Sequence, residues 1–362
     1  MPRLRLAVIG VGHLGREHAR ILAGMPEAEL VGVVDTNADQ AEAVARRLST
    51  RPFTDHRLLL EQIDAAVIAV PTRHHHTVAA DFIRHGIPLL IEKPLAANLE
   101  QAEMLVDLAR RHGTMLQVGH IERFNPAFED LQTRPLQPKF IAAQRLGLFS
   151  GRSFDVGVVL DLMIHDLDLV LALVRSPVRS VEAVGVSILG THEDVANARL
   201  VFANGCIATL TANRITNAPI RHMSVWGPEG YAGLDFARRR LTLIQPGEQI
   251  GWLRQNLHRL DPTMMAALKN EVFGRHLQVV KLHLNAGDQL TNELRDFVRC
   301  VQTGARPRVS GEVACEAMAL AARVLDCIYR HRWEGQTDGP TGPADLPPPA
   351  GPLFRPLQGD AA

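Results

Sequence analysis

No surplus charge of either sign marks this 362-residue chain, in which 39 Lys and Arg balance 39 Asp and Glu. The balance argues against a general electrostatic footprint for nucleic acid or for an anionic membrane surface. Cysteine is scarce. Cys206, Cys300, Cys315 and Cys327 stand far apart with no CxxC pair. They read as buried thiols in a reducing compartment, not as a disulfide frame or a zinc site. No apolar run approaches the ~18 uninterrupted residues of a spanning helix. The basic start from Met1 to Arg5 runs into apolar residues 6–11 and could open a signal peptide. That run is too short, however, and a Gly-rich turn and a charged helix follow it. Internal repeats are also missing. The expectation is a soluble, cytoplasmic protein, long enough for two domains and a large core.

Strand and helix signals alternate over the first 120 residues. Strand-like segments at 4–9, 29–34, 65–70, 89–92 and 115–118 enclose helical ones at 15–23, 38–48, 76–85 and 99–111. The first segment is apolar at every position but Arg5, as a parallel strand buried on both faces requires, and the alternation means βαβ units. The texture changes beyond Pro138. Residues 156–174 read as one long apolar helix. Strand candidates at 140–149, 180–188, 197–202, 206–213, 222–226 and 240–244 lack helices between most of them and imply an antiparallel sheet. Asn204-Gly205 is a hairpin turn signal. Residues 253–280 read as a partly helical insertion, and amphipathic helices at 292–303 and 311–329 are expected to close the second domain. The fold class is therefore α/β: an N-terminal Rossmann parallel sheet (1–122), then an α/β domain on an open, mainly antiparallel sheet (123–334). Residues 335–362 hold seven prolines between Pro340 and Pro356 and suggest a flexible tail.

Three segments carry chemistry. Gly10-Val11-Gly12-His13-Leu14-Gly15 follows a buried strand and opens a helix. Gly10 permits the sharp turn, Gly12 lets a pyrophosphate approach the backbone, and Gly15 lets helix and strand pack closely. The helix N-terminus offers free amides to the anion. His13 and Leu14 ride in the same loop. Asp35, twenty residues beyond Gly15, can accept from a ribose 2′-hydroxyl and would repel a 2′-phosphate, so NAD is expected over NADP. The run His74-His75-His76 invites a metal, but adjacent imidazoles in a loop diverge, and none is expected. A histidine just past a strand end is better read as lining the cofactor crevice. Glu92-Lys93-Pro94 sets a cation at a strand end. Asp161 and His165, spaced i, i+4, share a helix face, where the carboxylate would raise the imidazole's basicity. Oxidation of a secondary alcohol needs both: a base near the hydroxyl, and stabilisation of charge developing on its oxygen.

With Val70-Pro71-Thr72 and His75, these pieces resemble the glucose–fructose oxidoreductase / inositol dehydrogenase / MocA family, over about residues 4–330. The resemblance implies that Lys93 and His165 are the catalytic pair, with Asp161 beside them. It implies that Val70, Pro71, Thr72, His75, Glu92, Lys93 and Arg123 meet NAD. It also implies a cis Lys93–Pro94 peptide, and a homodimer or homotetramer built through the second sheet. Residues 118–126 and 155–166 resemble more narrowly the subgroup that oxidises the 3-hydroxyl of UDP-N-acetylglucosamine. That subgroup hands a 3-keto sugar to an aminotransferase, towards a 2,3-diamino sugar for lipid A. On this reading Asn125, with Lys93, Asp161 and His165, faces the sugar. Arg145, Arg152 and Arg214 are available for the diphosphate, whose oxygens guanidinium forks match. A free polyol such as an inositol is the alternative substrate, and a non-catalytic dinucleotide-binding regulator the alternative role.

Overall fold

A computed structural model describes residues 3–148, 156–285, 287–335, 339–347 and 351. Most of the proline-rich tail, and with it the expected flexibility, lies outside the described residues, as does Arg152. The first sheet has six parallel strands: β1 (Leu4–Ile9), β2 (Ala28–Val34), β3 (Arg51–Phe53), β4 (Ala65–Ile68), β5 (Leu89–Glu92) and β6 (Leu116–Gly119). Their order is β3-β2-β1-β4-β5-β6. The order reverses between β1 and β4, which opens a crevice at their carboxyl ends where ligands of such sheets bind. Four helices cover the faces: α1 (His13–Ala23), α2 (Ala38–Leu48), α3 (His75–Arg84) and α4 (Leu99–His112). Local chemistry sets their ends. Asn37 caps α2 by accepting from Gln40 N, and Asn98 caps α4 by accepting from Gln101 N. Gly113 ends α4 at φ 62°, a left-handed position that favours glycine.

After the short α5 (Pro126–Gln132), the chain builds an eight-stranded sheet. Its strands are β7 (Phe140–Leu146), β8 (Val178–Val186), β9 (Val195–Phe202), β10 (Ile207–Asn213), β11 (Ile220–Gly227), β12 (Gly230–Asp235), β13 (Arg240–Pro246) and β14 (Leu277–His283). The order is β14-β13-β12-β11-β7-β10-β9-β8, and only the β7–β10 pair is parallel. The fold class is thus the expected one, and the Asn204-Gly205 hairpin joins β9 to β10 with Gly205 at φ 82°.

Several elements differ from expectation, and three of them shape the domains. The long helix is two pieces: a π turn at Val159–Met163, then α6 (Ile164–Val174). The insertion holds α7 (Ile250–Asn256) and α8 (Pro262–Glu271) but returns as β14, which pairs along the whole of β13. The third concerns α9 (Gln289–Thr303). It packs on the first sheet, where Leu290, Leu294, Phe297 and Val298 join Leu6, Val8, Leu22 and Leu90 in one core. The segment after it also pairs with the edge of β6, Val118 N donating to Val309 O at 3.0 Å. Only α10 (Gly311–Arg330) lies against the second domain, touching α6 and β8 as well as α4.

A second, larger core is continuous from Phe82, Leu95 and Phe124 to Val159, Met163 and Leu210. Continuity of apolar packing presses the carboxyl end of β5 against the π turn. All four cysteines are free thiols, and burial raises the Cys206 pKa to about 11. No helix among the described residues is long and apolar enough to cross a membrane.

Candidate active site

The loop after β1 is built by exclusion. Gly10 sits at φ +86°, where a Cβ would lie 2.8 Å from the backbone of Ala69 and Val70. A Cβ on Gly15 would fall 1.8 Å from Gly10 O. At Gly12 a Cβ would meet nothing within 4 Å, so the space over the loop is open. Helix α1 starts there with no side-chain cap, which leaves amide donors of its first turn for an incoming anion. His13 and Leu14 are exposed on that turn. Across the crevice, the Asp35 carboxylate accepts from Val11 N (3.0 Å), Asn37 N (3.0 Å) and Gln40 Nε2 (2.8 Å). These donors fix it at the tip of β2, facing the glycine loop.

Val70, Pro71 and Thr72 follow β4 at the same rim. His75 is buried rather than open to the crevice. Its ring nitrogens lie 2.9 Å from the carbonyls of Pro94 and Val70, tying the two loops together. Burial pushes its pKa down, although both carbonyls pull it up. The Lys93–Pro94 peptide is cis.

Glu92 ends β5 with Oε1 2.7 Å from His18 Nε2, and Oε2 accepts from Lys93 N at 3.2 Å. Burial drives its pKa up, but His18 and Lys93 outweigh that and hold the carboxyl below the ordinary range. Lys93 reaches across to the second domain. Its ammonium donates to Asp161 O at 2.7 Å and to Asp161 Oδ1 at 3.1 Å. The π turn makes this possible by presenting the carbonyl and carboxylate of one residue to one cation. Its i→i+5 bonding also breaks the 3.6 spacing on which the Asp161–His165 pairing relied.

His165 accordingly sits in a different field from the expected one. Its pKa is pushed well below the ordinary value, first by burial, then by the charges of Lys93 and Arg145. Its Nδ1 is buried and has no hydrogen-bond partner. The Asp161 carboxylate is engaged by Lys93. His120, which the sequence reading did not single out, stands edge-on to His165 with ring centroids 6.2 Å apart. Burial lowers its pKa too. Its position just past the carboxyl end of β6 was the available signal.

The ammonium of the first domain and the imidazole of the second therefore meet in one electrostatic neighbourhood. Comparison with known proteins identifies the family. The profile of the oxidoreductase family with an NAD-binding Rossmann fold matches residues 4–120, and the GFO/IDH/MocA C-terminal domain profile matches residues 141–232. UDP-N-acetylglucosamine 3-dehydrogenase of Acidithiobacillus ferrooxidans is 39% identical over 248 residues, 68% of this chain and 79% of that one. This chain belongs to the GFO/IDH/MocA oxidoreductase family. The solved structure of the same Acidithiobacillus enzyme superposes with a TM-score of 0.78 at 33% identity, covering 90% of this chain and 98% of that one. The scyllo-inositol 2-dehydrogenase (NAD(+)) of Bacillus subtilis is 32% identical over 51% of this chain and 57% of its own length.

As a member of the family the protein is an NAD-binding oxidoreductase, and its residues fit that cofactor: an uncapped helix start, open space at Gly12, and a carboxylate opposite.

Arg123, expected at the cofactor, and the residues expected at the substrate fare differently. Arg123 is buried, and its Nε and Nη2 donate to Asp168 at 2.6 and 3.0 Å. Asn125 is fully buried, donating to Glu122 Oε2 and Phe236 O while its Oδ1 caps Ala127 N. Arg145 grips Asp166 through Nε and Nη2 (3.1 and 2.8 Å) and Glu122 through Nη1 (2.8 Å). Arg214 holds Asp194 at 2.6 Å and the Val156 carbonyl at 3.0 Å. Their side chains serve internal carboxylates and carbonyls. Only a partner search in three dimensions reveals this, since the carboxylates lie 20–45 residues away. Arg221, opposite Arg145 on β11, is exposed, and its charge also lowers the pKa of His165.

Proposed function

We propose that the protein oxidises the 3-hydroxyl of UDP-N-acetylglucosamine to the 3-keto sugar with NAD. The observation that carries the reading is the Lys93 ammonium, held by Asp161 and close enough for its charge to help keep the buried His165 neutral. The loop Gly10, Gly12, His13, Leu14 and Gly15 would hold the pyrophosphate, Asp35 the ribose, and Val70, Pro71, Thr72 and Glu92 the nicotinamide half. NAD, when bound, supplies the hydride acceptor. The chain's part is protonic. Neutral His165 keeps a lone pair for the hydroxyl proton at pH 7, and Lys93 stabilises the negative charge growing on that oxygen. Asp161 orients Lys93.

The substrate assignment is supported by the 39% identity to the Acidithiobacillus enzyme. With Arg145 and Arg214 engaged internally, exposed Arg221 is the cation we assign to the diphosphate. In this reading the keto product passes to an aminotransferase on the way to a 2,3-diamino sugar for lipid A. The enzyme would act in the cytoplasm as a homodimer or homotetramer through the second sheet. The inositol reading keeps the same machinery and draws on the Bacillus relative. Initial rates with NAD separate the two. Turnover on UDP-N-acetylglucosamine should exceed that on free inositols by about a hundredfold or more in kcat/KM, the worth of one or two charge-assisted phosphate contacts. The reverse ranking overturns the assignment.

Asp35→Ala should relax cofactor choice. It removes the acceptor for the 2′-hydroxyl and the charge that repels a 2′-phosphate, so the NAD over NADP preference in kcat/KM falls about ten- to hundredfold. An unchanged ratio would take Asp35 out of ribose recognition.

A further inference from the structure

Near the strand end that carries Lys93 lie buried polar side chains that this chemistry leaves unused. Glu293 projects from α9 with no solvent exposure, and neither carboxylate oxygen has a hydrogen-bond partner. Gln117 on β6 is equally buried. Its Nε2 donates to the Glu293 carbonyl at 3.4 Å, and its Oε1 is unpartnered. His18 on α1 faces Glu92 through Nε2 and leaves Nδ1 unpartnered. Four unsatisfied buried atoms thus sit on three side chains of α1, β6 and α9, with His18 tied to Glu92 and Gln117 to the Glu293 backbone.

Counting donors decides what they need. An ionised Glu92 only accepts, so His18 Nε2 donates to it. Gln117 Oε1 is an acceptor. An ionised Glu293 would add two more acceptors and a second buried negative charge, with no cation against it. Leaving such a group charged and unpaired is the costliest arrangement available to a protein interior.

We propose that Glu293 is a neutral carboxylic acid, and that it is a positioning residue for Lys93, acting through the charge of Glu92. Its neutrality leaves Glu92 as the single negative charge behind the ammonium, so Lys93 keeps its pull on Asp161 and on charge developing at the substrate. Burial, then the charges of Glu92 and Asp296, push the Glu293 pKa well above the carboxylate range. The remaining charged groups nearby are engaged elsewhere. Asp296 holds Arg299 and Arg308 N, Arg123 holds Asp168, and Glu122 holds Arg145. Ionisation of Glu293 at alkaline pH would set two negative charges behind Lys93 and weaken that pull.

The inference goes beyond the substrate assignment, and its first test needs no substrate. Infrared difference spectra of the full chain at pH 7, wild type against Glu293→Gln, should show a protonated-carboxyl band that shifts in D2O and is lost in the variant. Glu293→Asp, which retains an acid, should keep it. With NAD and a turned-over sugar, the alkaline limb of kcat should move up by about one pH unit or more in Glu293→Gln, since the amide cannot ionise. Only ionised-carboxylate bands lost at pH 7, or superimposable alkaline limbs, overturn the proposal. Should Glu293→Gln fail to fold, the band in wild type and Glu293→Asp carries the test: its absence from both at pH 7 overturns the proposal.

Discussion

Lys93→Met should lower kcat about a thousandfold, the combined scale of lost proton-transfer assistance and lost oxyanion stabilisation. Methionine keeps most of the aliphatic stem, so packing changes little and what is removed is the charge. The dissociation constant for NAD should stay within a few-fold of wild type, because the glycine loop and Asp35 hold their geometry without Lys93. Global stability should fall only slightly, since the Lys93–Asp161 pair is partly open to solvent at 16% and 26% side-chain exposure. The same substitution carries a second signature. The Lys93 charge is one cause of the depressed His165 pKa, so removing it should raise that pKa, readable by NMR of the imidazole. Turnover within tenfold of wild type would remove Lys93 from the mechanism. An unmoved His165 would mean that the two side chains do not share a site.

Arg145→Met should destabilise the fold by about 3–5 kcal/mol, the cost of stripping one partner from a buried ion pair. Arg145 is 3% exposed, and its guanidinium serves two carboxylates at once, Asp166 and Glu122, both nearly inaccessible. Burial opposes its charge, but those two carboxylates outweigh the penalty and hold its pKa above the ordinary value. Asp166 already stands above the usual carboxylate range because it is buried, and Arg145 is the group that restrains that rise. Without Arg145 two carboxylates remain in the interior and must be protonated or rehydrated. Urea unfolding followed by circular dichroism gives the loss directly. Wild-type stability combined with a raised KM for a nucleotide sugar would return Arg145 to substrate binding, the role expected from its sequence context.

That reassignment shows where sequence reading stops. Arg123, Asn125, Arg145 and Arg214 all sit near residues of the site, and the chemistry of each suits a phosphate or a sugar. Each instead satisfies a carboxylate or carbonyl brought to it by folding. His75 behaves likewise: its place past β4 was legible, whereas its double tie to Val70 and Pro94 was not. β12, which the strand reading missed, carries two glycines in Gly230–Asp235 and so little β signal of its own. It forms because β11 and β13 flank it.

The sequence by itself determined whatever depends on neighbours a few residues apart. The glycine loop, the alternation of buried strands and amphipathic helices, the Asn caps, the Asn204-Gly205 turn and the carboxylate at Asp35 all follow from local sterics and local hydrogen bonds. Tertiary structure decided which surfaces meet. An amphipathic stripe states that α9 must bury a face, but the first sheet's exposed apolar surface determined which one it covers. Folding also placed Asp161 on Lys93 across 68 residues and left His165 in a desolvated, cationic field. Hydrophobic burial is non-directional, and electrostatic partners are chosen by distance in space. Neither is written in the spacing of residues along the chain.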